Sequence, residues 1–135
     1  LTPLIQQQAG LLYDTTLGFP GHEGFRNSYC LPFRLYDHMA DEMMDLWEIP
    51  LTVMDVTLFH YRRYNMKEAL ASVRYLLEEV VKFKGIFVLL WHNGMNNEFL
   101  LPGITGFYRD LIGTIAGKGP ENLLGEEIIN RLQTQ

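Results

Sequence analysis

The sequence predicts an α/β fold with parallel strands, and three consecutive segments carry this prediction. Residues 85–91 are apolar almost throughout, as expected of a strand that is covered on both faces. From 67 to 83, apolar residues recur at helical spacing, which predicts a helix directly before that strand. Residues 48–56 predict another strand, with Pro50 near its start. A strand, a helix and a strand in this order indicate a right-handed parallel crossover.

Local signals predict the elements before this unit. Thr2 and Pro3 are typical of a helix start, and Gly10 is typical of a helix end. Residues 11–16 contain the tyrosine and threonines that suit a pleated surface, so we expect a strand there. Two further segments complete this part of the chain: a glycine-rich loop at 18–24 and a second, shorter strand at 27–33.

The methionine-rich segment 35–46 shows no clean alternation, and we interpret it as irregular or as a short helix. A helix is predicted at 105–116 and a final amphipathic helix at 121–132, with a break at Gly119 and Pro120. Strands that alternate with helices favour an α/β layer or barrel, and about four strands are too few to close a barrel. Such a segment resembles half of a barrel.

The composition is that of a folded domain. The chain has 135 residues, of which 47% are hydrophobic and 20% are charged, and its net charge is −5. This charge is spread along the chain and argues against nucleic acid as a partner. No apolar stretch is long enough for a membrane span. The single Cys30 excludes an internal disulfide and a cysteine-based zinc site.

The first residues have neither an initiator methionine nor the basic and apolar regions of a signal peptide. The helix-start signal of Thr2 and Pro3 lies directly at the beginning of the chain. We therefore expect this chain to be a fragment of a longer protein.

Three ionisable residues stand at the ends of predicted strands. Asp14, Asp55 and His92 would converge on one edge if these strands are parallel, because chemistry collects at the carboxyl ends of parallel strands. A carboxylate that orients a histidine ring suits general acid–base catalysis. The alternatives stay open, since Asp14 and Asp55 could bond only to the backbone that follows them, and His92 could merely cap its strand.

Two further residues, Arg26 and Trp91, are candidates for substrate contacts besides Asp55. The Arg26 guanidinium is either solvated or binds a carboxylate or a sugar hydroxyl. The Trp91 ring either packs within the protein or stacks on a sugar ring. His22, His38 and His60 share no metal-ligand spacing. A metal site built from this chain alone is therefore not predicted.

Five segments together carry a resemblance to a known family. They are Ala9-Gly10-Leu11-Leu12-Tyr13-Asp14-Thr15-Thr16-Leu17-Gly18-Phe19, Gly24-Phe25-Arg26, Leu31-Pro32-Phe33, Ile49-Pro50-Leu51-Thr52-Val53-Met54-Asp55 and Leu89-Leu90-Trp91-His92-Asn93. In this order they resemble the C-terminal half of the polysaccharide deacetylase family, also known as the NodB-homology family or carbohydrate esterase family 4. The likeness is to a divergent bacterial branch and runs from about residue 2 to 117.

The resemblance implies a distorted (β/α)7 barrel that removes acetyl groups from sugars with a divalent metal, commonly zinc. The family's last motif ends in Leu-x-His, which Leu90-Trp91-His92 matches, and its histidine is the general acid. Asp14 falls where the family places a carboxylate that tunes this histidine. The family's Asp-Asp pair, His-x3-His motif and catalytic arginine precede this region, and the chain contains none of them.

The sequence-based prediction is thus one incomplete domain over residues 1–135, with 118–135 as a C-terminal helical extension. We expect part of a metal-dependent carbohydrate deacetylase, with His92 and Asp14 in catalysis and with Arg26, Trp91 and Asp55 binding substrate. The metal ligands would lie outside the chain. Its expected protein partner is either the missing N-terminal half of the barrel or a self-associating copy. The alternative is a non-catalytic carbohydrate-binding or interaction module derived from the same barrel. The compartment, bacterial cytoplasm or cell envelope, is left open.

Overall fold

A computed structural model describes residues 2–134. The four α-helices are α1 (Thr2–Gln8), α2 (Met66–Lys82), α3 (Ile104–Ala116) and α4 (Gly125–Gln133). The five short strands are β1 (Tyr13–Asp14), β2 (Phe33–Asp37), β3 (Glu42–Glu48), β4 (Val53–Met54) and β5 (Leu89–Leu90). A π-helical turn spans Thr57–Tyr61 and a 3-10 turn spans Asn93–Met95. No helix in the described part of the chain is long and apolar enough to cross a membrane.

The strands form two small sheets. The first has the order β1-β3-β2, with β1 and β3 parallel and β2 and β3 antiparallel, and the second pairs β4 with β5 in parallel. Backbone bonds extend both parallel pairings beyond the strands, since Leu51 N–H donates to the Leu17 carbonyl and Thr52 N–H to the Val88 carbonyl, both at 3.1 Å. The fold is mixed α/β, as predicted, and the sheets do not close into a barrel within residues 2–134.

The order β4, α2 and β5, with the two strands parallel, confirms the predicted strand–helix–strand unit. Asn65 begins α2 because its side chain accepts from two backbone N–H groups, while the Glu68 side chain accepts from the Asn65 N–H, which forms a capping box. One face of the helix is buried, through Ala69, Val73, Leu76, Leu77 and Val80.

That face packs in the main core. The same hydrophobic cluster contains residues of β4, the π-helical turn and α3, namely Val53, Leu58, Ile104, Phe107 and Leu111. Burying a side chain of this size stabilises the fold by about 1.5–3 kcal/mol. The core therefore fixes α2 and α3 against the β4–β5 pair, and with them the loops that follow these two strands.

The interpretation of 35–46 as irregular or helical is wrong, because β2 and β3 form an antiparallel hairpin there. The turn is built by Asp37, whose carboxylate accepts from the Met39 N–H at 2.8 Å, and by Asp41, which has a φ of 58°. On β3, Met44 and Leu46 are buried, while Met43 is 54% exposed. Methionines on both faces conceal the two-residue alternation in the sequence.

The predicted strands are longer than the observed ones. The segment 11–16 is a strand only at β1, 85–91 only at β5, and 48–56 divides into the end of β3 and a separate β4. The strand expected at 27–33 instead begins at Phe33. Pro32 and Pro50 lack the N–H that a ladder requires, which accounts for two of these differences. The final helix begins at Gly125 rather than 121, where the Leu124 N–H donates to the Glu127 carboxylate at 2.7 Å.

Candidate functional site

His92 and Asp55 form a hydrogen-bonded pair at the carboxyl ends of β5 and β4. Asp55 directly follows β4, and His92 lies two residues beyond β5, so the parallel pairing brings them to one edge. The His92 Nδ1 lies 2.7 Å from the Asp55 Oδ1, and the His92 backbone N–H donates to Oδ2 at 2.6 Å. The Val56 N–H also donates to Oδ1, at 2.7 Å. Asp55 therefore holds both the ring and the backbone of His92.

The two side chains differ in their access to solvent. The Asp55 side chain is 0% exposed, whereas that of His92 is 51% exposed. Within residues 2–134 no group forms a hydrogen bond to the Nε2 of His92. A histidine that is oriented through Nδ1 and accessible at Nε2 can deliver a proton to a bound molecule or remove one from it.

The carboxylate that orients His92 is thus Asp55 and not Asp14. Asp14 accepts from its own following residues, the Thr15 N–H at 2.8 Å and the Thr16 hydroxyl at 2.7 Å. Asp14 thus bonds locally to the residues that follow it, which was the alternative to a role beside His92. The expectation that His92 pairs with Asp14 is therefore wrong, since Asp14 uses its oxygens within its own turn.

Glu48 is a buried carboxylate that the sequence reasoning missed. It is 3% exposed and lies in register with Asp14 on the neighbouring parallel strand. Its Oε1 accepts from the Leu17 N–H at 2.9 Å. Burial raises the pKa of Glu48 to about 7, and the nearby Asp14 charge adds to this shift. The alternating pattern of β3 could have indicated it, because Glu48 continues the buried face of Met44 and Leu46.

All three expected substrate-contact residues already have partners in the fold, and Asp55 is fully buried against His92, which leaves it no access to a substrate. Arg26 is exposed, and its Nη1 donates to the Gly18 carbonyl at 3.2 Å, so it braces the glycine-rich loop. Trp91 stacks on Phe107 with ring centroids 6.0 Å apart and lies 4.9 Å from the Tyr108 ring. The Trp91 Nε1 donates to Asn96 at 3.0 Å. Trp91 therefore packs against α3 and positions the start of the loop that contains His92.

Glu23 anchors the same glycine-rich loop from its other end. Its side chain is 8% exposed and accepts from the hydroxyls of Tyr64 and Ser72, which lie before and within α2. Arg62 approaches its other oxygen at 3.6 Å. This buried carboxylate was not singled out in the sequence, since Gly21-His22-Glu23-Gly24 predicts only an exposed turn. The loop is thereby attached to the helix that precedes β5.

A groove of about 490 Å³ runs beside the strands that lead to the His92–Asp55 pair. Its walls come from the loop after β1 and from β4, β5 and their flanking residues. They are formed by Thr15, Thr16, Gly18, Phe19, Pro20, Leu51, Met54, Val88, Leu89 and Leu90. Most of the groove surface is apolar, and the groove is large enough for a small organic group.

Among residues 2–134 no group of three or more histidine, cysteine, aspartate or glutamate side chains is placed to hold a metal ion. The described residues therefore do not fit the divalent metal that the family resemblance implies. Comparison with known proteins gives no matching family model, no matching curated protein and no matching solved structure.

Proposed function

We propose that this chain supplies the proton-donating part of a carbohydrate deacetylase and forms the C-terminal part of a barrel of the polysaccharide deacetylase type. The observation that carries the proposal is the pair formed by His92 and Asp55. A half-exposed imidazole is fixed there through Nδ1 by a fully buried carboxylate at the ends of two parallel strands. This is the arrangement that a general acid requires.

His92 and Asp55 would act in the step in which the bond between the acetyl group and the sugar breaks. When the bond between the acetyl carbon and the sugar nitrogen or oxygen breaks, its electron pair stays with the leaving atom. His92 Nε2–H gives that atom a proton, and Asp55 stabilises the orientation of the ring throughout. In the family that the sequence resembles, a divalent metal activates the attacking water. The ligands of that metal would lie outside this sequence.

One structural feature and one sequence feature support a small organic substrate beside the pair. The apolar groove of about 490 Å³ follows β4 and β5 towards the pair, and its lining includes Thr15 and Thr16. A concave apolar surface with a few polar groups is the usual form of a small-molecule site. The His92-containing segment also matches the Leu-x-His motif of the family.

The test uses the natural protein that contains this sequence, with an acetylated chitooligosaccharide and an acetylated xylooligosaccharide as substrates. We expect His92→Ala to lower the rate of acetate release by about 100- to 10,000-fold and to leave the metal content unchanged. His60→Ala is the matched control, because His60 is exposed and lies in a different turn. Wild-type turnover in His92→Ala would remove this residue from the mechanism and favour the alternative of a non-catalytic carbohydrate-binding module. Loss of metal would make it a ligand.

A further inference from the structure

A second cavity lies away from the His92–Asp55 pair. It has a volume of about 460 Å³ and lies between the C-terminal half of α2 and residues 25–31. The Ile86 N–H donates to the Cys30 carbonyl at 2.7 Å, so this cavity borders the segment that enters β5. His92 follows the opposite end of that strand. The two sites are therefore at different ends of β5.

Aromatic rings dominate the walls of this cavity. They belong to Phe25, Tyr29, Tyr75 and Phe83. Tyr75 is 68% exposed and Phe83 is 57% exposed. Neither of these two rings contacts another aromatic ring among residues 2–134. Both rings are thus largely open to solvent, apart from the Lys82 ammonium over Phe83, and the face of an aromatic ring carries partial negative charge.

One carboxylate, that of Glu79, lines the same cavity. Cys30 lines the cavity as well, and burial, with a smaller contribution from the Glu79 charge, raises the pKa of its thiol. No lysine or arginine is among the lining residues. The wall thus combines ring faces with one negative charge, which is complementary to a cation.

The ammonium group of Lys82 contacts two of the residues that line the cavity. The Lys82 Nζ lies 3.7 Å from the Glu79 Oε2 and 5.0 Å from the centroid of the Phe83 ring. The chain's own ammonium therefore already contacts a ring and the carboxylate of this wall. Its side chain is 64% exposed, and exposed ion pairs of this kind are weak, so a ligand can displace it.

We propose that this cavity binds a small organic cation through its primary or quaternary ammonium group. The rings of Tyr75 and Phe83 hold the cation by cation–π attraction, and Glu79 supplies the opposite charge. Lys82 acts as an internal competitor for the same two groups. A neutral sugar is less favoured, because a single carboxylate and the Ser28 hydroxyl provide few partners for several sugar hydroxyls. This inference does not depend on the proposed deacetylase function.

The experiment compares choline with dimethylbutanol, in which carbon replaces the nitrogen and the charge is lost. Binding to the chain is followed by amide chemical-shift changes in NMR. We expect choline to bind at least about tenfold more tightly than dimethylbutanol, with shifts at residues 25–31 and 75–83. Glucosamine and glucose form a second pair that tests a sugar as the ligand.

Variants with opposite expected effects sharpen the test. Glu79→Gln should weaken choline binding by about tenfold, and Phe83→Leu by about two- to thirtyfold. Lys82→Gln should strengthen it, because the competing ammonium is removed. Glu78→Gln is the matched control, since Glu78 is the adjacent residue but pairs with Lys118. Thermal unfolding of each variant establishes that it is folded.

Three results would overturn the proposal. Equal binding of dimethylbutanol and choline would show that the cavity binds apolar groups and does not select for a positive charge. Equal binding of glucose and glucosamine would make it a sugar site. Choline that binds neither the wild-type chain nor folded Lys82→Gln would show that the cavity takes no ammonium ligand.

Discussion

Asp14 and Glu48 lie side by side on the parallel strands β1 and β3, and the inner carboxylate, Glu48, is almost completely buried. Both serve the same turn, because Asp14 accepts from the Thr15 N–H and Glu48 from the Leu17 N–H. The loop that leads to the apolar groove is thus attached to the first sheet by two neighbouring carboxyl groups. One of them changes protonation near neutral pH.

Glu48→Gln should make the chain less sensitive to pH. Burial raises the pKa of Glu48 from 4.5 to about 7, so the folded state binds more protons than the unfolded state between these values. The free energy of unfolding of the wild type therefore falls as the pH rises through this window and levels off above it. Glutamine carries no such charge and keeps an acceptor for the Leu17 N–H.

Urea unfolding at several pH values between about 5 and 8 measures this effect. The stability of Glu48→Gln relative to the wild type should increase with pH across the range. Glu42→Gln, at the exposed start of β3, is the control and should show no such trend. A constant difference between Glu48→Gln and the wild type would contradict the shifted pKa.

Asp55→Asn should release the ring of His92 from its fixed orientation. The carboxylate accepts from the His92 N–H, the Val56 N–H and the His92 ring, whereas an asparagine amide has a single acceptor oxygen. At least one buried donor then loses its partner, which costs about 1–3 kcal/mol of stability. Long-range nitrogen–proton NMR of His92 reports the tautomer, and thermal unfolding reports the stability. An unchanged tautomer and an unchanged unfolding temperature would show that Asp55 does not position His92. The exposed Asp110→Asn serves as the control.

The chain on its own should bind zinc weakly and release no acetate from an acetylated oligosaccharide. The reason is that residues 2–134 contain no cluster of metal-ligating side chains and no paired-histidine spacing. Isothermal titration calorimetry with zinc provides the measurement. Micromolar or tighter binding with three ligands from this chain would refute the prediction.

The chain should self-associate or pair with a further segment along β1. This strand is at the edge of its sheet, and the adjacent Leu11 and Leu12 are each about half exposed, at 50% and 49%. We expect Leu12→Lys to shift the mass measured by light scattering towards the monomer. Ala71→Lys, at an exposed position of α2, is the control for added charge. A wild-type chain that is monomeric at high concentration would argue against a half-barrel.

The sequence by itself determined the helices and the crossover. The spacing of Val73, Leu77 and Val80 is a local property, and it correctly predicted α2, its burial and the parallel strands on either side. It also identified His92 and Asp55 as residues that follow strands. Each of these features depends on neighbours a few positions away, and a single sequence contains that information.

Only the tertiary structure decided which groups meet. The choice of Asp55 over Asp14 as the partner of His92 depends on the pairing of β4 with β5 rather than with β1, and two-residue strands leave no register signal in the sequence. The burial of Glu48 and the cavity beside Glu79 likewise arise from contacts between distant segments. Burial and proximity set the pKa of Glu48, because both depend on atoms that the chain brings together only on folding.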